Sequence, residues 1–330
     1  MKVLLMQNFQ TAASVLTHRL PHSAKPHARI LPQRGIKMSR IQNDCLYWPG
    51  GRKKAMTFSY DDGIKQDIRL IGLFNKYGVK ATFNLNPCLF GTAGRVSLDG
   101  KSAEHIKNKS EEIIQVYRGH EIAGHGEWHT SMSTMDTARC TDEILNCRKD
   151  LESLLNQTVT GYAYAFGMTS INIRSALLAS GVRYARTITS TGKFDIPHDF
   201  LMWDPTCHHD DEKLFTYADQ FLSNDPYFNF ETPAKLFYVW GHAYEFDMNQ
   251  NWDRIENLLQ KVSGREDIWY ATNGEIERYV RAYRELVFTV DGKYVYNPSA
   301  IDVTLGGMFT DSITVVRGGE TVRMAEPADM

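Results

Sequence analysis

From about Arg52 to Leu286 the chain alternates short apolar runs with amphipathic segments, and that alternation limits what it can fold into. The run at 54–58 predicts a strand. The segment at 66–77 predicts a helix with Ile68, Ile71 and Phe74 on one face and Gly78 as its stop. Further strands are expected at 80–85, 121–123, 160–164, 183–188, 236–240 and 267–270. Helices are expected between and after them at 110–117, 137–155, 171–180, 212–222, 252–262 and 274–286. In the longest of these, Ile144, Leu145, Leu151 and Leu155 form the apolar stripe. Repeated βα units imply a parallel sheet, and so many of them without a dinucleotide fingerprint predict an α/β fold, a (β/α) barrel. Beyond Val287 the pattern shortens to alternating runs at 287–290, 294–296, 301–304, 313–316 and 321–324 around Asp291-Gly292 and Gly318-Gly319, which predicts antiparallel strands joined by tight turns. The expected organisation is an N-terminal extension at 1–46, a barrel domain at 47–286 and a small β extension at 287–330.

Composition narrows the function. A hydrophobic share of 42% suits a buried core, and a formal net charge of −2 gives no electrostatic ground for binding nucleic acid or an acidic membrane surface. No run of 18 apolar residues occurs, so no spanning helix is expected. Cys45, Cys88, Cys140, Cys147 and Cys207 are scattered and odd in number, which suits reduced thiols better than a disulfide framework. Cys140 and Cys147 fall on one predicted helix and read as small packed side chains. The first 37 residues carry Lys2, Arg19, Lys25, Arg29, Arg34 and Lys37 and no acidic residue, a targeting-like composition. Yet the apolar stretch Val3-Leu4-Leu5-Met6 is short for a secretory core, and Pro21, Pro26 and Pro32 oppose a stable helix. The expectation is a disordered extension with Met38 as an alternative start, in a cytoplasmic protein without a signal peptide; a cleaved targeting peptide is the minority alternative.

Two short segments at predicted strand ends carry the chemistry. Ser59-Tyr60-Asp61-Asp62-Gly63 puts two carboxylates directly after the first strand, and His125-Gly126-Glu127-Trp128-His129 spaces two imidazoles at i and i+4. A lone Asp-Asp-Gly is more simply a strand-end turn, and a lone His-x₃-His more often binds no metal. Together they offer one Asp and two His as ligands and leave a second Asp free. Three protein ligands with an open position suit a catalytic zinc site. A free carboxylate beside the metal suits a base that takes a proton from water. Both aspartates cannot be ordinary ligands of one ion at low cost, because like charges that close raise a pKa. His242 also follows a predicted strand.

These residues resemble the motifs of the polysaccharide deacetylases of carbohydrate esterase family 4, the NodB-homology domain. That family's first motif, Thr-Phe-Asp-Asp-Gly, stands here as Ser59-Tyr60-Asp61-Asp62-Gly63. Its second, His-Ser/Thr-x-x-His, is matched from His125 to His129 with Gly126 in the small position. The resemblance covers roughly 53–283. It implies a barrel of the polysaccharide deacetylase type, in which Asp62, His125 and His129 bind one divalent metal, zinc by preference, and Asp61 is the general base. The third motif, Arg-x-Pro-Tyr or Tyr-Pro-Phe-Gly, corresponds to Tyr164-Ala165-Phe166-Gly167, which implies a backbone N–H near Phe166 facing the oxyanion. The fifth, a strand ending in His, corresponds to Val239-Trp240-Gly241-His242, which implies His242 as general acid. The implied activity is removal of N-acetyl groups from amino sugars of an oligo- or polysaccharide, releasing acetate and a free amine.

The departures from the motifs matter. The third-motif arginine falls on Ala163. Arg186, which ends the next predicted strand in Tyr184-Ala185-Arg186-Thr187, is the candidate to replace it, with a surface salt bridge as the alternative. In the family the fourth motif sets an Asp beside a Trp to orient the acid His; Trp203-Asp204 offers both types in reversed order, and Trp203 is separately an expected substrate contact. The cluster Cys207-His208-His209-Asp210-Asp211 offers His208 as a pocket-wall contact, a second metal site, or a helix N-cap at Asp210. Trp128, Trp203, Trp240 and Tyr244 are candidates to stack on sugar faces. Two other functions stay open: an amidohydrolase of a small non-sugar amide on the same scaffold, and a non-catalytic carbohydrate-binding protein, which would need no base. The expected partner is a carbohydrate or small-molecule N-acetyl substrate, with no nucleic acid and no membrane span; the sequence is silent on oligomeric state.

Overall fold

The computed structural model describes residues 44–223, 234–307 and 312–324. The expectations for residues 1–43, including the extension and the start at Met38, lie outside the described residues. Eight strands form one parallel sheet: Lys54–Asp61 (β1), Thr82–Leu85 (β2), Glu121–Gly124 (β3), Gly161–Ala163 (β4), Tyr184–Arg186 (β5), Cys207–His208 (β6), Lys235–His242 (β7) and Ile268–Tyr270 (β8). β1 is buried along its whole length, which its apolar and small side chains permit. β7 pairs with it in parallel from Lys235 opposite Lys54 to His242 opposite Asp61. The other edge of β1 is shared, with β8 on its first half and β2 on its last. From β2 the sheet runs through β3 and β4 to β5, and from β7 it runs to β6.

The sheet curls into a distorted barrel wrapped by α1 (Asp67–Lys76), α2 (Thr137–Leu155), α3 (Ile171–Ala179), α4 (Leu214–Leu222), α5 (Tyr244–Asn249), α6 (Trp252–Val262) and α7 (Asn273–Arg284). The gap beside β5 is bridged by Trp203, whose N–H donates to Ala185 O at 3.0 Å and whose carbonyl accepts from Thr187 N at 3.1 Å. Its indole is buried against Tyr184, Phe200 and Tyr238. The place expected for Trp203 as a substrate contact is therefore corrected: it is a core residue that helps close the sheet.

Two helix faces also differ from expectation. Ile68 is half exposed, while Asp67, Leu70, Ile71 and Phe74 are buried. In α2 the buried stripe is Cys140, Ile144, Cys147 and Leu151, and Leu145 is exposed. That spacing of 4, 3 and 4 residues is the helical period, with both cysteines as its small apolar members. The helix expected at 110–117 is a 3₁₀ turn, Ser110–Glu112, followed by a short helix, Ile113–Val116.

An antiparallel hairpin, Ala93–Leu98 with Lys101–Ile106, is inserted between β2 and β3. Its turn sits at Asp99-Gly100 with φ of 50° and 77°, as a two-residue primed turn requires. The C-terminal strands form two three-stranded antiparallel sheets. Val287–Phe288, Tyr294–Tyr296 and Thr321–Arg323 make one. Val303–Gly307, Ile313–Val316 and Asp44–Tyr47 make the other. The domain boundary placed at 46/47 thus falls inside a strand that pairs with the C-terminal extension. No helix among the described residues is long and apolar enough to cross a membrane.

Candidate active site

A cleft of about 570 Å³ opens at the C-terminal ends of the strands, with Asp61, Asp62, His125, His129 and His242 in its wall. The two aspartates separate because of the backbone. Asp61 closes β1, whereas Asp62 and Gly63 have φ of 83° and 66° and turn the chain sharply. The left-handed region is costly for a residue with a side chain, so a non-glycine held there at a cleft is worth explaining by function.

Asp61 is buried and multiply held. Its Oδ1 accepts from Asn84 Nδ2 at 2.8 Å, and its Oδ2 accepts from Arg186 Nη2. Arg186 is fully buried, with its guanidinium 4.3 Å from the Trp240 ring and Nη1 donating to Thr187 O. Burial works against the Asp61 charge, but Arg186, His125 and His242 outweigh it and hold the carboxyl below its ordinary range. The two Oδ2-facing imidazole nitrogens, His125 Nε2 and His242 Nε2, both stand 3.8 Å away.

Asp62 is held from the hairpin side. Lys107 Nζ donates to its Oδ1 at 3.0 Å and to Asn86 Oδ1 at 3.0 Å, and His105 Nε2 lies 3.1 Å from its Oδ2. Burial is again outweighed, here by His105 and Lys107, and the carboxyl sits well below its ordinary range.

The imidazoles of His125 and His129 converge through a loop rather than a helix: Gly126 and His129 have φ of 87° and 53°. Their Nε2 atoms are 3.2 Å apart, and His129 Nε2 is 3.9 Å from Asp62 Oδ1. His125 Nδ1 lies 2.9 Å from Ala163 O, an acceptor only, so the ring proton belongs on Nδ1 and the Nε2 lone pair faces the cleft. Burial lowers the pKa of His125 and brings that of His129 down to about 4, which keeps both rings neutral. Asp62, His125 and His129 each present a ligand atom within 4.8 Å of the others. Two neutral imidazoles and one carboxylate on a common point fit a zinc-like divalent cation.

His242 ends β7 on the opposite side of Asp61. Its backbone N donates to Glu245 Oε2 at 2.9 Å, and its Nδ1 forms a 3.3 Å ion pair with Glu245 Oε1. Burial opposes the imidazolium, but Glu245, Asp61 and Asp62 outweigh it and push the pKa up to about 9. His208 accepts the Asp210 N–H at Nδ1, so its own proton sits on Nε2, 3.1 Å from Glu245 Oε2. His208 therefore lies behind His242 as a support for Glu245, not in the cleft wall as expected. Asp204 bonds Thr187 and is not the carboxylate beside His242. His209 is buried and stacked between Tyr60 and Phe246, a packing that needs Gly241, where a Cβ would stand 2.0 Å from its Nδ1.

Phe166 is more than half exposed with φ of 56°, and its ring meets His129 edge-on at 4.4 Å. Trp240 and Tyr244 line the cleft with it, while Trp128 does not. The sequence reading overlooked Glu245, His105 and Lys107. Glu245 stands three residues beyond His242, and the Asp-Gly turn at 99–100 signalled the hairpin that delivers the other two.

Residues 49–185 match the polysaccharide deacetylase family model. A comparison with curated protein sequences gave no match. Among solved structures, a polysaccharide deacetylase from Pseudomonas aeruginosa is similar at 17% identity over 72% of this chain and 93% of its own, with a TM-score of 0.54. One described as a polysaccharide deacetylase from Mycobacterium smegmatis is similar at 16% identity over 73% and 94%, with a TM-score of 0.51. At such identity these two speak for the fold, a (β/α) barrel of the deacetylase type. The matched segment holds both aspartates, both converging imidazoles and the turn at Phe166.

Proposed function

We propose that this chain is a metal-dependent hydrolase that removes N-acetyl groups from amino sugars of an oligo- or polysaccharide. One observation carries the reading: Asp61 is kept ionised by Arg186, takes no part in the Asp62–His125–His129 cluster beside it, and faces His242 across the same gap. A binding protein has no use for a buried ionised carboxylate with a raised imidazole opposite.

Asp62, His125 and His129 would hold the cation. When bound, it would supply a Lewis acid and acidify water. Asp61 takes the proton from the attacking water, and Asn84 and Arg186 fix the direction its lone pairs face. The backbone N–H of Phe166 is the proposed donor to the carbonyl oxygen as charge develops there. His242, protonated at neutral pH, gives its Nε2 proton to the departing amine, and Glu245 stabilises the charged ring before the transfer. The amide C–N bond breaks, giving acetate and a free amine. The apolar rim formed by Phe166 and Ile188 suits the faces of a sugar ring.

The test is amine release from acetylated chito-oligosaccharides by protein stripped with a chelator and then reloaded with single divalent ions. Release that requires the ion and is lost in Asp61→Asn is expected. Release from a small non-sugar amide alone would replace the sugar reading with an amidohydrolase. Carbohydrate binding with no release would leave a lectin on this fold.

A further inference from the structure

A second cluster lies on the other side of the His125–His129 loop. Cys88, in the 3₁₀ turn after β2, donates its thiol proton to Glu127 Oε1, and its backbone N donates to Glu127 O at 3.3 Å. Asp150 reaches the same place from α2. A ligand atom from each of the three lies within 4.8 Å of the others. Glu127 is 5% exposed, and its Oε2 is buried with no hydrogen-bond partner. The carboxylate of Asp150 faces it, and Glu143, one helical face along α2, accepts from Trp128 N nearby. Among the described residues no Lys, Arg or His pairs with Glu127, Glu143 or Asp150 within 4.0 Å. A carboxylate oxygen buried without a partner is costly, and a cation held between Glu127, the Cys88 thiol and the exposed carboxylate of Asp150 would satisfy it.

We propose that Cys88 Sγ, Glu127 and Asp150 form a second metal site, separate from the cleft, for a thiolate-accepting divalent ion of the zinc type. A tetrahedral zinc sets its sulfur and oxygen ligands about 3.6 Å apart, which lies inside the spread of these atoms. Uptake displaces the thiol proton to solvent and gives Glu127 Oε2 the partner it lacks. Three protein ligands leave one position for water. A magnesium- or calcium-like ion is disfavoured, because those ions take oxygen and reject thiolate. The consequence is mechanical. Glu127 lies between His125 and His129 in the chain, in a loop with positive φ at Gly126 and His129. An ion that ties Glu127 to the turn after β2 and to α2 braces that loop from behind.

The deciding experiment is Co²⁺ titration of chelator-stripped protein, followed in the near ultraviolet, where a thiolate-to-cobalt charge-transfer band appears. The cleft cluster contains no thiolate, so the band cannot come from the cleft, and its loss in Cys88→Ser assigns it to Cys88. Wild type should bind two equivalents, one of them with the band. Cys88→Ser should bind one equivalent without it, and His125→Ala should keep the band. A wild-type titration with no band, or a band that survives in Cys88→Ser, overturns the proposal. Loss of binding in His125→Ala with the band retained would bear on the cleft only, so the two sites succeed or fail separately. Should Cys88→Ser fail to fold, Glu127→Gln decides. The Kd read from the band should rise by about tenfold or more, and an unchanged Kd overturns the site.

Discussion

The two flanks of the cleft are assembled in different ways. On one, Asp62, His125 and His129 come from two short segments at the ends of β1 and β3, and their side chains converge as the spacing in the chain suggests. On the other, His242 stands at its expected strand end, but its surroundings are rebuilt. The guanidinium beside Asp61 arrives from β5 rather than from the position of Ala163, and the carboxylate beside His242 is Glu245 rather than Asp204. The difference follows from what the proposed function asks of each flank. Ligand atoms must meet at one point within tenths of an ångström, which only a fixed local backbone supplies. A charge acts over several ångströms, so any neighbouring strand or turn can provide it.

That contrast fails most visibly if the base and the ligands cannot be separated. Asp61→Asn is expected to retain the metal and lose roughly 10²- to 10⁴-fold in turnover, the usual worth of a positioned base. Metal analysis beside single-turnover kinetics checks it; near-normal turnover in the metal-replete variant would remove Asp61 from the chemistry. His242→Ala should cost on the order of 10²-fold in turnover with metal content unchanged. Loss of metal instead would move His242 to the ligand flank and erase the distinction.

How much was legible follows the same division. The βα alternation located every strand of the central sheet except β6, which is two residues long and too short to carry a period. The aspartate pair and the His-x₃-His were legible because each is contiguous. Arg186 was reachable only through a need, that Asp61 stay ionised, combined with the adjacency of β4 and β5. Trp203 misled because an aromatic beside an Asp looks the same in sequence whether its ring faces the cleft or, as here, packs on Tyr184 and Tyr238. His208 misled for a related reason: its partner, Glu245, lies on another element. Lys107 and His105 needed the hairpin first, and no periodicity distinguishes a hairpin over a cleft from one at a distance. The φ of 83° at Asp62 leaves no trace in residue type, since aspartate there is chosen for its carboxylate and not for its backbone.

Arg186→Lys probes the rebuilt flank at the base. The planar guanidinium meets Asp61 Oδ2 while its other amino group holds Thr187 O and its face lies on Trp240. A lysine keeps the charge but not those three contacts at once. The Asp61 carboxyl is held below its ordinary range chiefly by this cation against burial, so a poorer cation lets its pKa rise. Only ionised Asp61 accepts a proton, and the acid limb of kcat/KM therefore moves to higher pH, with a rate loss of about tenfold at neutral pH. An unchanged acid limb would mean that Asn84 and the imidazoles suffice.

Glu245→Gln probes the same flank at the acid, and its effect at neutral pH is the smallest. The amide keeps an acceptor for the His242 backbone N–H but removes the charge facing Nδ1. In the metal-free protein the His242 imidazole should titrate near 9 and, in the variant, closer to the ordinary value of about 6.5. Because the proposed reaction uses the protonated ring, the basic limb of the rate profile should move to lower pH, with only a few-fold loss near neutrality. Stability moves with it. A histidine whose folded pKa is raised contributes stability that is complete below about 6.5 and is lost as pH rises through about 9. Wild type should therefore weaken across that window, and the variant, already without the pair, should weaken less. Histidine NMR titration together with denaturant midpoints at pH 6 and pH 9.5 measures both. A His242 titration indifferent to Glu245 would transfer the raised pKa to Asp61 and Asp62, and the acid would then depend on the aspartate pair rather than on Glu245.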